Sequence, residues 1–422
     1  MKLSLKTLTP VHVGNGEKYN GLSYLVNKEK VLIYDSAKVM ENVTSRFSER
    51  FMQWIEQTTN EIEQLEIQKR NERNEQKRRN INQLIRDAQK KLSLREFIEN
   101  SVKDITTRTR FSNNFLYYVE AKSQVYNNVD IDCYIKQNNK PYIPGTEVKG
   151  AIRTAIAFNL LKIEEHWDFL SKELEKFRNR NKNDLQQIPG QKGKKTNEIK
   201  RQLVSQMGKI EEELQTRLFR VKNNNDAKFD LLKLLSIGDT ELKDPNTSLF
   251  ISNLTVEGIS RTFQLFQELC KENTSFTCQG FRLENNTTII NKLGFSPEQM
   301  WVISDIKNIL QCCCDFTNRL LQEEIDFFKR INKPEIVAKL QNIQKQNTPD
   351  SPVIRIGKNE GYLSLTMGLL VKDRDPMLYN NVLCHATKNT SYTGNFPKTR
   401  RLVYVSNNEL DTIGWVKLTV ES

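Results

Sequence analysis

Apolar and polar residues alternate from the first residues of the chain. Leu3 and Leu5 oppose Lys2, Ser4 and Lys6, a period of two that predicts a strand. A Gly14-Asn15-Gly16 turn and two further short runs, Leu22 to Val26 and Lys30 to Tyr34, extend this into a predicted β-meander over residues 2–34. From about Ala37 the period lengthens. Phe51, Trp54, Ile55, Ile62 and Leu65 mark one helical face, a charged stretch from Lys69 to Arg79 interrupts it, and Ile81, Leu84, Ile85, Ala88 and Leu92 resume it. A second strand-rich block is predicted from Asn114 to Ile143, feeding a helix through Pro144-Gly145-Thr146. Two more helical faces follow, Ile163 to Phe177 and Leu203 to Val221. Between them Asp184 to Asn197, with Pro189, Gly190, Gly193 and Lys192, Lys194, Lys195, reads as a mobile basic loop. Leu231 to Ile237, Leu249 to Thr255, Val353 to Val371 and Leu402 to Val420 read as β-rich, and Trp301 to Ile331 as helical. Strand blocks with helices between them predict an α+β fold into which two charged helical stretches are inserted.

Charge narrows the partner. Lys and Arg number 64 against 52 Asp and Glu, a net charge of +12 over 422 residues, with a pI near 9.2. A polyanion is therefore the expected partner, nucleic acid before an anionic membrane surface. Apolar runs such as Met367 to Val371 fall far short of the roughly 20 residues that span a bilayer. The N-terminus enters the first strand without an apolar signal segment, and a cytoplasmic protein is expected. Seven cysteines, three adjacent at Cys312, Cys313 and Cys314, make no disulfide framework. Lacking CxxC or CxxH spacing, they read as small hydrophobes on a buried helix rather than as zinc ligands. No cofactor is expected.

The sharpest local signal is Tyr142 to Arg153. Thr146 is a candidate N-cap, Glu147 suits the first turn, and Val148, Ile152, Ala155, Ile156 and Leu160 form a buried stripe. Lys149 and Arg153 stand at i and i+4, where like charges repel, and Gly150 weakens the helix. A phosphate near the helix N-terminus, close to Gly145, would reconcile all of this; a solvated basic face with a packing glycine is the alternative. Gly14 and Gly16 suit either an anion-binding nest or a plain hairpin turn. His12 could serve as a general base, or could be structural or contact RNA; the other two histidines, His166 and His385, stand at no evident spacing to it. Gly357, Lys358 and Gly361 form a second glycine loop after a strand. Lys398, Arg400 and Arg401, between Phe396 and Tyr404, suit phosphate contact and stacking, or else a charged edge strand. Asp130 and Asp132 read as surface carboxylates.

The segments Pro10 to Gly16, Ile143 to Arg153, Gly357 to Gly361 and Phe396 to Arg401 together resemble the RAMP superfamily of CRISPR proteins, and within it subunits of the type III-A Csm effector complex. That resemblance implies two ferredoxin-like, RRM-type modules: residues 1–260 with helical insertions at about 46–105 and 160–222, and residues 261–422. It also implies a non-catalytic subunit that caps the 3′ side of the CRISPR RNA, supports its maturation in antiviral defence, and sits beside the backbone and small subunits. Target cleavage in such complexes belongs to the backbone subunit. The RNA contacts would then be His12, Gly14, Gly16, Gly145, Thr146, Lys149, Gly150, Arg153, Gly357, Lys358, Gly361, Lys398, Arg400 and Arg401. Two rival readings are an endoribonuclease that processes CRISPR RNA through His12 and an adaptor that recruits host nucleases.

Overall fold

A computed structural model describes residues 1–43, 45–187, 194–221, 226–258, 265–284, 292–383 and 396–421. The opening alternation does form a strand, Lys2–Thr7, with Leu3, Leu5 and Thr7 buried. It lies in a four-stranded sheet between Ser275–Cys278 and Trp415–Glu421, with Val353–Arg355 beyond the latter. The expected meander is therefore corrected, because the first strand pairs with segments some 270 and 410 residues away. The Gly14-Asn15-Gly16 segment, expected as a hairpin turn or anion nest, instead opens a strand, Gly14–Tyr19, whose register shifts between Gly14 and Lys18. That strand is the edge of the second, larger sheet, which runs in the order Gly14–Tyr19, Ile131–Tyr134, Leu265–Cys270, Leu249–Glu257, Tyr117–Ala121, Lys30–Ile33, Tyr24–Asn27. Within residues 2–34, Tyr24–Asn27 and Lys30–Ile33 are the strands that pair as a local hairpin among the described residues. Arg400–Ser406 adds to Leu249–Glu257 and carries Glu409–Asp411.

The expected boundary at 260/261 falls inside the antiparallel pair Leu249–Glu257 and Leu265–Cys270, so each sheet draws strands from both sides of it. Both charged stretches are helical. Ser45–Asn71, Glu75–Lys91 and Leu94–Ser101 leave and rejoin the sheet between two paired strands, Lys30–Ile33 and Tyr117–Ala121. Glu164–Arg180 and Lys194–Phe219 form the second stretch. The basic loop is shorter than expected. Lys182–Gln187 is a helix with Leu185 buried, a new helix begins at Lys194, and Pro189, Gly190, Lys192 and Gly193 lie outside the described residues, as does His385. Leu231–Leu234 is a tight 3₁₀ turn rather than a strand. After Val353–Arg355 the segments Tyr362–Leu365 and Gly368–Arg374 are helical too, since the Leu369-Leu370-Val371 run is buried on all sides and carries no period of its own.

The long helix Ile306–Arg330 packs on Gly145–Leu160: Phe158 and Phe316 meet at 5.2 Å, and Asn159 Nδ2 donates to the Cys312 carbonyl at 3.0 Å. Cys312, Cys313 and Cys314 are buried in that long helix, and burial pushes the Cys312 thiol up to about 12. No described helix is long and apolar enough to cross a membrane.

Candidate nucleic-acid interface

The two glycine loops, about 345 residues apart in the chain, meet. Lys358 N–H donates to the His12 carbonyl at 2.8 Å. Gly357 has φ +89°, and a Cβ there would stand 2.3 Å from that same carbonyl oxygen, so the contact demands glycine. Gly414, in the turn before the last strand, closes the arrangement by donating to the Pro10 carbonyl at 2.8 Å. The loops border a cleft of about 480 Å³ lined by His12, Gly14, Gly16, Lys18, Asp132, Glu147, Gly357, Lys358, Glu360 and Leu365, among others. Gly361 follows at the exit of the late loop, as N-cap of Tyr362–Leu365.

A polar chain ties five elements together around this cleft. Arg401 donates to Asn359 Oδ1, and Asn359 Nδ2 donates to Gln267 Oε1 at 2.8 Å. Gln267 Nε2 then donates to Asp132 Oδ2 at 2.9 Å, which also receives the Lys358 ammonium at 2.7 Å. Lys18 lies 3.6 Å from Asp130 and 4.0 Å from the other oxygen of Asp132. Asp132 is thus buried and central, not the surface carboxylate expected; its strand, Ile131–Tyr134, is buried on both faces. Burial opposes its ionisation, but the bonds from Lys358 and Gln267 outweigh it and hold its pKa below the usual carboxylate value. Asp132, Gln267, Asn359, Glu360 and Glu147 were not legible as site residues. Asn359 docks the late loop against Gln267 and Arg401, and Glu360 lines the cleft.

His12 is fully buried. Its Nδ1 lies 2.6 Å from the Glu268 carbonyl, which only accepts, so Nδ1 carries the proton and Nε2 is the bare acceptor. Nε2 is buried without a hydrogen-bond partner among the described residues, and Gly14 covers it so closely that a Cβ there would come within 2.8 Å. Burial lowers the His12 pKa, against the pull of Glu268 and Asp132, and keeps the ring neutral near pH 7. A base needs its atom exposed to the proton it removes, and this one lies beneath the loop. Glu360 shifts the other way: burial pushes it up to about 8, with Arg355 pulling it down and Glu147 adding to the rise. Near neutral pH it is largely an uncharged acid, which can donate a hydrogen bond and does not repel an anion in the cleft.

Several expected contacts are turned inward. The helix Gly145–Leu160 has Pro144, not Thr146, at its N-cap position, and no side-chain cap from that residue. Asp239 supplies the anion instead, accepting from Gly145 N–H at 2.9 Å, and a Cβ on Gly145 would strike the Ile237 carbonyl at 2.2 Å. Lys149 donates to the Leu235 carbonyl at 2.7 Å. Arg153 makes a two-pronged bond to Asp230, 3.1 Å on each arm, a third to Gln215 at 3.1 Å, and stacks on Phe219 at 3.8 Å. Asp230 therefore reconciles the two like charges without a phosphate. Of the expected contacts on this helix, Gly150 and Thr146 are exposed, and no atom lies within 4 Å of where a Cβ on Gly150 would stand. Arg400 is also internal: Glu324 takes Arg400 and Arg355 together, all three nearly fully buried, and Arg400 stacks on Phe327 at 4.3 Å. Lys398 and Arg401 are exposed.

The RAMP superfamily model matches residues 4–297. The CRISPR system Cms protein Csm5 of Streptococcus thermophilus is 28% identical over 158 residues, an alignment covering 37% of this chain and 37% of that relative's length. The protein of the same name from Methanocaldococcus jannaschii is 21% identical over all of this chain and 89% of its own length. A chain of a Csm–crRNA–target RNA ternary complex from a type III-A CRISPR-Cas system shares the fold over 99% of this chain and 100% of its own, with a TM-score of 0.65 and 17% identity. A crystal structure of T. onnurineus Csm5 does so over 98% and 99%, at a TM-score of 0.59 and 16% identity. The family match spans well over half of the sequence, including the first glycine loop and the Gly145–Leu160 helix. By that match, and with a fold shared end to end with these structures, the chain belongs to the RAMP superfamily.

Proposed function

We propose that this chain is a non-catalytic, RNA-binding subunit of a type III-A CRISPR effector ribonucleoprotein, seated on the 3′ side of the CRISPR RNA against the backbone and small subunits and supporting maturation of that RNA. The observation that carries the reading is the meeting of the two glycine loops at one open cleft, with Lys18 and Lys358 on its wall and Arg401 on the same polar network. Loops of this kind let a sugar-phosphate backbone approach closely, and cations beside them neutralise it without reading bases. The buried, neutral His12 supports a positioning role over a catalytic one: the atom that would take a proton is covered by Gly14. What the names of the relatives say of a Csm complex points the same way.

The test uses purified full chain with labelled single-stranded RNA. Binding should show little sequence preference, and roughly four phosphate contacts would lower affinity about 50-fold between about 50 and about 200 mM salt. Lys18→Ala with Lys358→Ala should weaken it. A flat salt titration would refute the reading, as would cleavage of CRISPR RNA that is lost in His12→Ala while binding is kept.

A further inference from the structure

The first helical insertion ends in a feature that the cleft does not use. Ser45–Asn71 and Glu75–Lys91 form a helical pair whose root packs on the body: Phe51 and Trp54 meet Phe97 at 4.7 and 5.3 Å, in a cluster with Leu32, Tyr34 and Leu94. Beyond Thr58 on the first helix and before Ile85 on the second, no residue is buried. From Thr58 to Asn71 the pair thus projects about 20 Å as a free arm.

Charge along this arm is polarised. Residues 45–65 and 80–91, the inner part, carry five cations and five anions; residues 66–79, the tip, carry six cations and three anions. Those cations are Lys69, Arg70, Arg73, Lys77, Arg78 and Arg79. Only Arg70 and Arg79 have a carboxylate within 4.0 Å, Glu66 and Glu75, both at 3.8 Å. Lys69, Arg73, Lys77 and Arg78 have none among the described residues. No aromatic lies between Trp54 and Phe97, so the tip can grip phosphates but cannot stack bases.

We infer that the arm is a second RNA-binding element, a sequence-independent clamp on backbone phosphates away from the cleft. The choice of RNA over other polyanions rests on the function proposed above. Its root sits on Tyr24–Asn27, Lys30–Ile33 and Tyr117–Ala121, the end of the large sheet opposite Gly14–Tyr19. Across that sheet the two sites are about 29 Å apart at the usual strand spacing, before the arm's own reach is added. RNA short enough to fill the cleft does not reach the tip, and longer RNA does.

The experiment compares full chain with Arg73→Glu, Lys77→Glu, Arg78→Glu on polyuridine of about 5 and about 40 nucleotides, by fluorescence anisotropy across a salt series. The three sites are exposed, and unchanged melting and helix content by circular dichroism confirm that the variant is folded. The variant should bind the long RNA at least about tenfold more weakly, with a log–log salt slope smaller by about 2, and bind the short RNA as before. Unchanged affinity and slope on the long RNA would overturn the inference, as would equal losses on both lengths. The arms of the test separate the two sites: failure of the cleft reading appears as full binding in Lys18→Ala with Lys358→Ala, whereas failure of the arm appears only in the charge-reversed variant.

Discussion

Replacing Arg400 with alanine should destabilise the fold, while the same change at Arg401, its neighbour on one strand, should leave stability nearly untouched and weaken RNA binding. Strand alternation separates them: Arg400 points with Leu402 into the core, opposite Glu257 and Thr255 in register, and Arg401 points out. Arg400 gives Glu324 one of its two cations, stacks on Phe327, and caps the Pro397 and Thr399 carbonyls at 3.1 and 3.2 Å. Removing one partner of a buried ion pair costs about 3–5 kcal/mol. Glu324 keeps Arg355 at 3.2 Å, which places the electrostatic loss at the low end, near 3 kcal/mol, and the lost stacking adds about 0.5–1 kcal/mol. For a chain of 422 residues that is a fall in melting temperature of roughly 4–5 °C. Arg401, exposed and bonded among the described residues to Asn359, should cost under about 0.5 kcal/mol. Thermal melts by circular dichroism and anisotropy on the same samples decide it. An Arg400→Ala protein that melts normally but loses RNA would refute the reasoning, because Arg400 would then face a ligand and not the core.

Gly357→Ala, which forces a side chain at φ +89° into the His12 carbonyl, should lower stability by about 2–4 kcal/mol in a urea titration and disturb RNA binding with it. Gly150→Ala fills open space on a helix and should raise stability by up to about 1 kcal/mol; a concurrent loss of RNA or complex incorporation would show that a partner approaches this face. Glu360→Gln should flatten the alkaline side of the stability profile. The folded acid holds its proton to about 8 while the unfolded one releases it near 4.5, so wild-type stability falls as pH rises between those values. The melting-temperature gain of the variant should therefore grow from about pH 5 to about pH 8.5, and a constant difference would show that Glu360 does not titrate as argued. Asp411, raised to about 7 by burial, keeps its own contribution of the same sign in both proteins.

Local patterns were legible in the sequence and long-range pairings were not. The alternation of Lys2–Thr7 and the stripe Val148, Ile152, Ala155, Ile156 follow from periodicity, because each depends only on which face of its own element is apolar, and the burial of Cys312 to Cys314 follows from their small apolar side chains and the lack of metal-ligand spacing. The partners of the first strand could not be read, since nothing local distinguishes Trp415–Glu421 from Gly14–Tyr19 as its neighbour. The late glycine segment Gly357 to Gly361 was identifiable as a loop, whereas Gly14 and Gly16, read as a turn, lie in an irregular edge strand, and the meeting of the two segments was not legible. Charged residues were misjudged most: Arg153, Arg400 and Asp132 read as surface groups, yet each is held by a partner 77, 76 or 226 residues away. A cation beside an apolar stripe carries the same local signature whether it faces water or a distant carboxylate. Arg400 alone left a clue, its alternation with Leu402.

The central claim is that RNA lies in the cleft between the two glycine loops, at the 3′ side of the CRISPR RNA. A photoreactive nucleotide placed at the 3′ end of the RNA in the assembled ribonucleoprotein, followed by mapping of crosslinked peptides, tests it most directly. Crosslinks should fall on residues 12–18 and 356–361, and should fade when Lys18 and Lys358 are both alanine. Crosslinks absent from both loops, or appearing there only when the reactive nucleotide is moved to the 5′ end, would contradict it.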